Sequence, residues 1–540
     1  MIAEQNRQKG LYWTPRGGNN ARDIWASCHL FTSVTENKRT GDTETTTVIV
    51  DMGQHEAPWL FANGEYDKVV PALDDCLAVK GLSKPENPAS AVFLTHCHSD
   101  HTTGIFEYLQ MGTEIPPVYG SRYTLNALQK GLIDLKIPSE KWPEMKCVKT
   151  GDSIRIGNLT VDVFPASHSV PGCFSFRLSN GEASIFHSGD TKADETSFLG
   201  RGVDVSSYKR IGRNGGVDLM TFDSTAVHLK GHATSEAEIF ETYREIFEQN
   251  AGRQIIAPLS AAHMERLASV VCAAAAAGKN VVINGGASME KNVLALKTAG
   301  YDLHAKCPNI QIVGAKGAAK LDPETCVTVT TGNYAEPNSP FVRCLRGEKN
   351  GFVLRPDAVV IAPTSGDKNE KLLSVLEKSG LDGLKLITGI EKPRVYGSGH
   401  AQADDFVKIA NSVRPRMVAP IHCFKERADA LNALAAKNGF MTLPEYPHNG
   451  TTVVVSGRTG ARIESVKSPE WFGIRHETDS KGNVKTSFVK VADGGYSTDY
   501  DKEAGIARRQ KEAMKKIAGY RFAAARKRGF IAERRGGDGR

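Results

Sequence analysis

No stretch of the 540 residues is apolar for long enough to cross a bilayer, which excludes a helical membrane protein. The opening residues, MIAEQNRQKGLYWTPRGG, lack the apolar core of a secretory leader. Ten cysteines are scattered along the chain and none forms a C-x-x-C pair, so neither a zinc ribbon nor a thioredoxin-type redox motif is encoded. Free thiols and a cytoplasmic location are therefore expected, with no membrane partner. There is no internal repeat, and acidic and basic residues nearly balance over most of the length. Residues 501–540 are the exception: they hold 13 Lys/Arg and 5 Asp/Glu, a net of +8, against −1 for the other 500 residues.

At 540 residues the chain exceeds what one core organises, so two to four domains are expected. Hydrophobic residues at 40% and charged residues at 24% are ordinary for a globular protein. TTTVIVD (45–51) and AVFLT (91–95) read as buried strands. SIRIGNLTVDVF (153–164) reads as two short strands about a Gly-Asn turn. ASIFHSGD (183–190) and VDLMTFDST (217–225) are strands running into polar ends. SEAEIFETYREIFEQ (235–249) has helical periodicity, with Ser235 and Glu238 forming a capping box. From there to about residue 385, strands such as QIIAPLS and NVVING alternate with helices, which predicts a parallel sheet. RVYGSGH (394–400) and MVAPIHC (417–423) read as further strands, each running into a histidine. Residues 456–500 alternate only weakly, and 501–540 read as a basic helix whose densest part is Arg521, Arg526, Lys527 and Arg528.

The strongest chemical signal is THCHSDHTTG (95–104), an H-x-H-x-D-H cluster directly after an apolar strand. Divalent ions of the zinc type take imidazole nitrogen and carboxylate oxygen, usually three or four per ion from the protein. A loop at a strand end is able to aim His96 and His98 at one ion and Asp100 and His101 at a second. Four residues do not complete two sites. The remaining candidates stand at other strand ends: His168 in PASHSVPG, Asp190 in HSGDTK and His422 in APIHC. Asp190 suits a bridging position, because its two oxygens are able to serve two cations. Asp51, ending the strand before the cluster, is expected to accept a hydrogen bond from a ligand imidazole. His187 is expected to face away, and Cys97 and Cys423 to fill space beside the histidines.

With these residues in view, the chain resembles the metallo-β-lactamase-fold nucleases that carry a β-CASP insertion, and most of all ribonuclease J. Asp51, HCHSDH, the His168 loop and Gly189-Asp190 match the general fold family. DST (223–225), TSE (234–236), SGHA (398–401) and PIH (420–422) match the β-CASP branch, over roughly residues 40–455. The resemblance implies an αββα sandwich with an inserted α/β domain. The expected division is 1–227 and 386–455 for the sandwich, 228–385 for the insert and 456–540 for a C-terminal extension. It implies two divalent ions, zinc first and manganese or iron as alternatives, with His96, His98, Asp100, His101, His168, Asp190 and His422 as ligands. It further implies single-stranded RNA as substrate and a possible homodimer. Asp223 is expected to support His400, the proton donor to the leaving oxygen, with Asp100 also in the catalytic set. Ser398, Gly399, His400 and Ser288 are the expected phosphate contacts. In this superfamily a histidine at the position of His422 favours RNA over DNA. Two segments depart from the ribonuclease J pattern. GGASM puts Ala287 where an arginine is usual, and GNYAEP (332–337) stands for G-x-Q-G-E-P, which weakens the implied 5′-end preference. The competing expectations are a DNA-directed nuclease, a small-molecule hydrolase of the same fold and a non-catalytic RNA-binding subunit.

Overall fold

Alternation of buried and half-buried residues along Leu159–Phe164 gives a strand with one apolar face, and the more central Cys173–Ser179 and Ser184–His187 are buried nearly throughout. Pairing of such strands produces two large sheets in the computed structural model, which describes residues 8–20, 24–55, 66–348, 353–363, 367–379, 383–457, 460–478 and 484–492. The first sheet has eight strands, ordered Gly460–Val466, Thr451–Ser456, Gly10–Gly17, Cys28–Glu36, Thr43–Val50, Ala91–Phe93, Val118–Gly120 and Met145–Cys147. The second has seven: Met441–Thr442, Pro415–Ile421, Val217–Asp223, Ser184–His187, Cys173–Ser179, Leu159–Ala166 and Ser153–Ile156. Their inner faces share one core, with Trp13, Phe31, Val48 and Phe93 from the first against Leu159, Phe176, Ile185 and Leu219 from the second. Each such side chain withdrawn from water contributes about 1.5–3 kcal/mol before entropy is counted.

Helices cover the outer faces. Gly104–Gln110 and Arg122–Asp134 bring Ile105, Leu109, Leu125 and Leu128 onto Ile49 and Val92 of the first sheet. Val205–Arg213, Ala403–Val413 and Lys425–Lys437 bring Tyr208, Phe406 and Leu431 onto Phe186, Met220 and Val418 of the second. This is the αββα sandwich expected from the resemblance.

Between the two sandwich segments lies a six-stranded sheet, ordered Ile312–Gly314, Asn280–Asn284, Cys326–Thr330, Ile255–Pro258, Val359–Ala362 and Lys385–Thr388. Every pairing in it is parallel, as the alternation of strands and helices predicted. Helix Glu236–Gln249 leads into it through the capping box of Ser235 and Glu238. The weakly alternating stretch after 456 is also paired. Gly460–Val466 extends the first sheet, while Glu470–Thr478 and Val484–Ala492 form a hairpin on Lys68–Pro71, with Trp471 and Phe472 fully buried. The basic segment 501–540, with Arg521, Arg526, Lys527 and Arg528, lies outside the described residues.

One expectation is corrected. RVYGSGH is not a strand: Pro393–Val395 is a short 3-10 turn and 396–400 is a loop. Its carbonyls at Gly397 and Gly399 accept from the side chains of Arg266 and His168, and the His400 amide donates to Ser398 Oγ. With its backbone groups satisfied by side chains, the segment has no need of a sheet neighbour.

Candidate metal centre

Topology explains why the candidate residues meet. Leu159–Ala166, Ser184–His187, Val217–Asp223 and Pro415–Ile421 all run in one direction, since two antiparallel steps separate the first two and the others pair in parallel. Their C-terminal ends therefore deliver His168, Asp190, Asp223 and His422 to the same edge of the sandwich. On the facing sheet Thr43–Val50 and Ala91–Phe93 are parallel and deliver Asp51 and the 95–104 segment. Within that segment Ser99–Thr102 forms a single helical turn, which carries Asp100 and His101.

The seven candidate ligands fall into groups whose donor atoms lie within 4.8 Å of one another. His96, His98 and His168 form one, and Asp100, His101 and His422 another, while His96, His101 and Asp190 bridge them. A fourth group joins Asp190 and His422 to Asp223 and His400. Asp190 is central: its Oδ2 is 3.4 Å from His101 Nε2, 3.7 Å from His168 Nε2 and His422 Nε2, and 3.9 Å from His96 Nε2.

Each imidazole commits one nitrogen to the protein and turns the other inward. His101 Nδ1 meets Asp51 Oδ2 at 2.7 Å, and His96 Nδ1 meets Thr95 Oγ1 at 3.0 Å. His98 Nε2 meets Ser169 Oγ at 2.8 Å, His168 Nδ1 donates to Gly399 O at 2.8 Å, and His422 Nδ1 meets Thr225 Oγ1 at 2.9 Å. Asp51 is itself fixed by the Thr95 amide and hydroxyl, both at 2.8 Å. Such contacts set tautomer and ring orientation. The inward nitrogens of His96 and His101, and Asp190 Oδ1, are buried with no hydrogen-bond partner. Orphaned buried polar atoms converging on one point are what a cation site requires. The donor set of imidazoles and carboxylates fits divalent ions of the zinc type.

The electrostatics agree at five of the candidate ligands and differ at His101. There burial disfavours the cation, but the carboxylates of Asp190, Asp100 and Asp51 outweigh it and raise the imidazole well above its usual range. Burial penalises charge on His96, His98 and His168 and holds all three below the usual imidazole range, in the neutral form that ligates. Burial also opposes ionisation of Asp100 and Asp190, but neighbouring histidines overcome it and keep both carboxylates below their usual range. At His400 burial disfavours the cation, yet the Asp223 carboxylate 2.8 Å from Nδ1 outweighs it and pushes the imidazole up to about 9.

The other expected site residues are placed as follows. Ser398 Oγ accepts from the His400 amide at 3.0 Å, within the turn itself. Ser288 is exposed on the first turn of helix Gly286–Thr298 in the inserted domain. His187 belongs to no ligand group: Nδ1 pairs with Thr221 Oγ1, and the ring packs on His29 and Phe31 in the sandwich core. Cys423 is fully buried, Cys97 is partly so, and neither joins a ligand group. Thr95 and Thr225 lie within the THCHSDHTTG and DST segments and Ser169 follows His168, but nothing in the sequence assigns their hydroxyls a role.

Residues 76–247 match the beta-lactamase superfamily domain, and residues 251–371 match the ribonuclease J beta-CASP domain. A protein named Ribonuclease J from Mycolicibacterium smegmatis is 30% identical over 374 residues, 68% of this chain and 64% of that one. Its namesake from Mycobacterium tuberculosis is 31% identical over 351 residues, 65% of this chain and 61% of that one. The chain thus spans somewhat less than two thirds of these relatives. A crystal structure of a protein of unknown function from Enterococcus faecalis V583 aligns with a TM-score of 0.56 at 16% identity, covering 83% of this chain and 100% of that one, which speaks to the fold alone. The chain thus carries a domain similar to the beta-lactamase superfamily domain, followed by one similar to the beta-CASP domain of ribonuclease J.

Proposed function

We propose that the chain is a metal-dependent ribonuclease that hydrolyses RNA phosphodiester bonds, with two divalent ions held at the sandwich edge. The observation that carries this reading is the clustering of six ligand-type side chains, all buried but the half-buried His98, around Asp190, with the His400–Asp223 pair beside them. His96, His98 and His168 would hold one ion, Asp100, His101 and His422 the other, and Asp190 both. Bound ions would supply Lewis acidity, lowering the pKa of a water and neutralising phosphate charge. The relatives' name, Ribonuclease J, and the histidine at 422 favour RNA as substrate. Residues 1–227 and 389–466 would form the ion-binding sandwich and 228–388 the insert that closes over the substrate, since Lys385–Thr388 pairs within the sheet of the insert and Gly460–Val466 within that of the sandwich.

The chain's own groups do the rest. His400 is cationic at neutral pH through Asp223, so it is loaded to donate a proton to the departing 3′-oxygen. The small Ser398-Gly399 turn lets backbone approach a phosphate closely. The test is cleavage of end-labelled single-stranded RNA bearing 5′-monophosphate, 5′-triphosphate or 5′-hydroxyl, with added manganese or zinc. Wild type should degrade it, and Asp100→Ala with His101→Ala should abolish cleavage in a folded protein. Equal RNA loss with both preparations would sink the reading. His400→Ala should lower the rate about 10²–10⁴-fold with metal content unchanged.

A further inference from the structure

The loop that carries His400 is held at three points, and one of them comes from the inserted domain. His400 Nδ1 bonds Asp223, and Gly399 O accepts from His168 Nδ1, both partners belonging to the sandwich. At Gly397 the carbonyl accepts from Arg266 Nη2 at 3.1 Å, and Arg266 stands on helix Met264–Ala276 of the insert. The fit is tight. A Cβ at Gly397 would lie 2.8 Å from Ile239 Cδ1 and 2.9 Å from Arg266 Nη2, and one at Gly399 would lie 2.5 Å from His168 Nδ1.

Arg266 is itself locked. Its Nε and Nη2 grip the Glu236 carboxylate, each at 3.1 Å, and Ser269 Oγ adds a third bond to that carboxylate at 2.7 Å. Lys192, two residues along the chain from Asp190, brings its Nζ to 3.4 Å from Glu236 and 3.2 Å from Asp194. Arg266, Glu236 and Lys192 are all nearly inaccessible to solvent. Two cations and two anions thus form a buried network spanning from the segment after Asp190, through the insert, to the His400 loop. A planar guanidinium serves this purpose where an ammonium does not, because it binds a carboxylate in bidentate fashion and keeps an N–H for the loop carbonyl.

We propose that Arg266 is a positioning residue through which the inserted domain sets the 397–400 loop, and with it the His400 imidazole, against the candidate metal cluster. This rests on the reading of His400 as the proton donor. The network makes docking of the insert a precondition for placing His400. The geometry at stake is fine, since a displacement of about 1 Å at a reacting group costs about 100-fold in rate.

The full chain is tested as wild type, Arg266→Met and Arg266→Lys, with two readouts. The first is amide hydrogen exchange of peptides covering 396–401, compared with 217–223 and with the strands of the insert. The second is kcat and KM on single-stranded RNA. For Arg266→Met the loop should exchange at least about tenfold faster while 217–223 and the insert strands are unchanged, and kcat should fall about 100-fold with KM altered less than about threefold. Arg266→Lys should recover only part of both effects. Unchanged exchange at 396–401, or faster exchange spread evenly over the insert, overturns the proposal, as does full recovery by lysine. Should Arg266→Met not fold, Arg266→Lys is read by the same criteria. If wild type fails to cleave RNA, the ribonuclease reading is lost, and the exchange readout still decides whether Arg266 sets the loop.

Discussion

At the level of single residues, the candidate metal centre is a set of rings each held by one nitrogen. That arrangement makes the holding groups as consequential as the ligands. Thr225 pairs its hydroxyl with His422 Nδ1 and carbonyl, both at 2.9 Å. Thr225→Val keeps the shape and removes both contacts, so the His422 ring is no longer fixed. Metal affinity should weaken about 10–100-fold, measured by competition against a chromophoric chelator, with the fold retained by circular dichroism. Unaltered affinity would show that packing alone orients His422. The candidate ligands were legible in the sequence because three histidines and an aspartate within six residues are too dense for a solvated loop. The hydroxyls were not, because serine and threonine are common beside any turn. Nor was the backbone at Asp51 and His422 legible. Both adopt left-handed φ, 63° and 52°, at the point where a strand ends and the chain turns into the site. Such conformations cost of order 1–3 kcal/mol and persist where surrounding contacts enforce them.

Among secondary-structure elements, the sandwich strands that end at the candidate site, such as Thr43–Val50, Ser184–His187 and Val217–Asp223, and the parallel sheet of the insert followed from hydrophobic patterning, whereas Gly10–Gly17, Cys28–Glu36 and Cys173–Ser179 did not stand out. The His400 loop did not, because its backbone bonds go to Arg266 and His168, which are 131 and 231 residues distant in sequence. Contact between elements also sets a pH response. Glu265, in the first turn of helix Met264–Ala276, accepts from Ser197 Oγ at 2.7 Å and the Phe198 amide at 3.0 Å, which ties the helix to the sandwich segment after Asp190. Burial pushes its carboxyl up to about 7. In the unfolded chain a glutamate titrates near 4.3, so between these values the folded state binds a proton that the unfolded state lacks. Stability from this group is therefore full at acid pH and is lost as pH rises through about 7. Glu265→Gln has no such proton. The difference in melting temperature, wild type minus variant, should become more negative from pH 5.5 to pH 8, by an amount equivalent to about 2 kcal/mol. A difference independent of pH would mean that the carboxyl is ionised throughout.

For the molecule as a whole, charge is divided between a nearly neutral body, −1 over residues 1–500, and a strongly basic segment, +8 over residues 501–540. A metal centre at Asp190 would act over a few ångströms and select chemistry, whereas long-range attraction of a polyanion depends on net positive charge. On the proposed reading these tasks fall to different parts of the chain. Each phosphate neutralised on a single strand adds about 0.7 to the slope of log affinity against log salt. Deleting 501–540 should therefore weaken RNA binding at low salt and flatten the slope by about 2 or more if at least three phosphates are met by its 13 Lys/Arg residues. Because the cluster around Asp190 is untouched, kcat at saturating RNA should stay the same while KM rises. Binding titrations of the truncated and full chains across a salt series, together with kcat and KM at one salt, separate the two contributions. An unchanged slope would assign the RNA grip to the sandwich and the insert. A fall in kcat would place the segment in contact with the site itself, because electrostatic capture alone alters encounter and leaves the chemical step as it was.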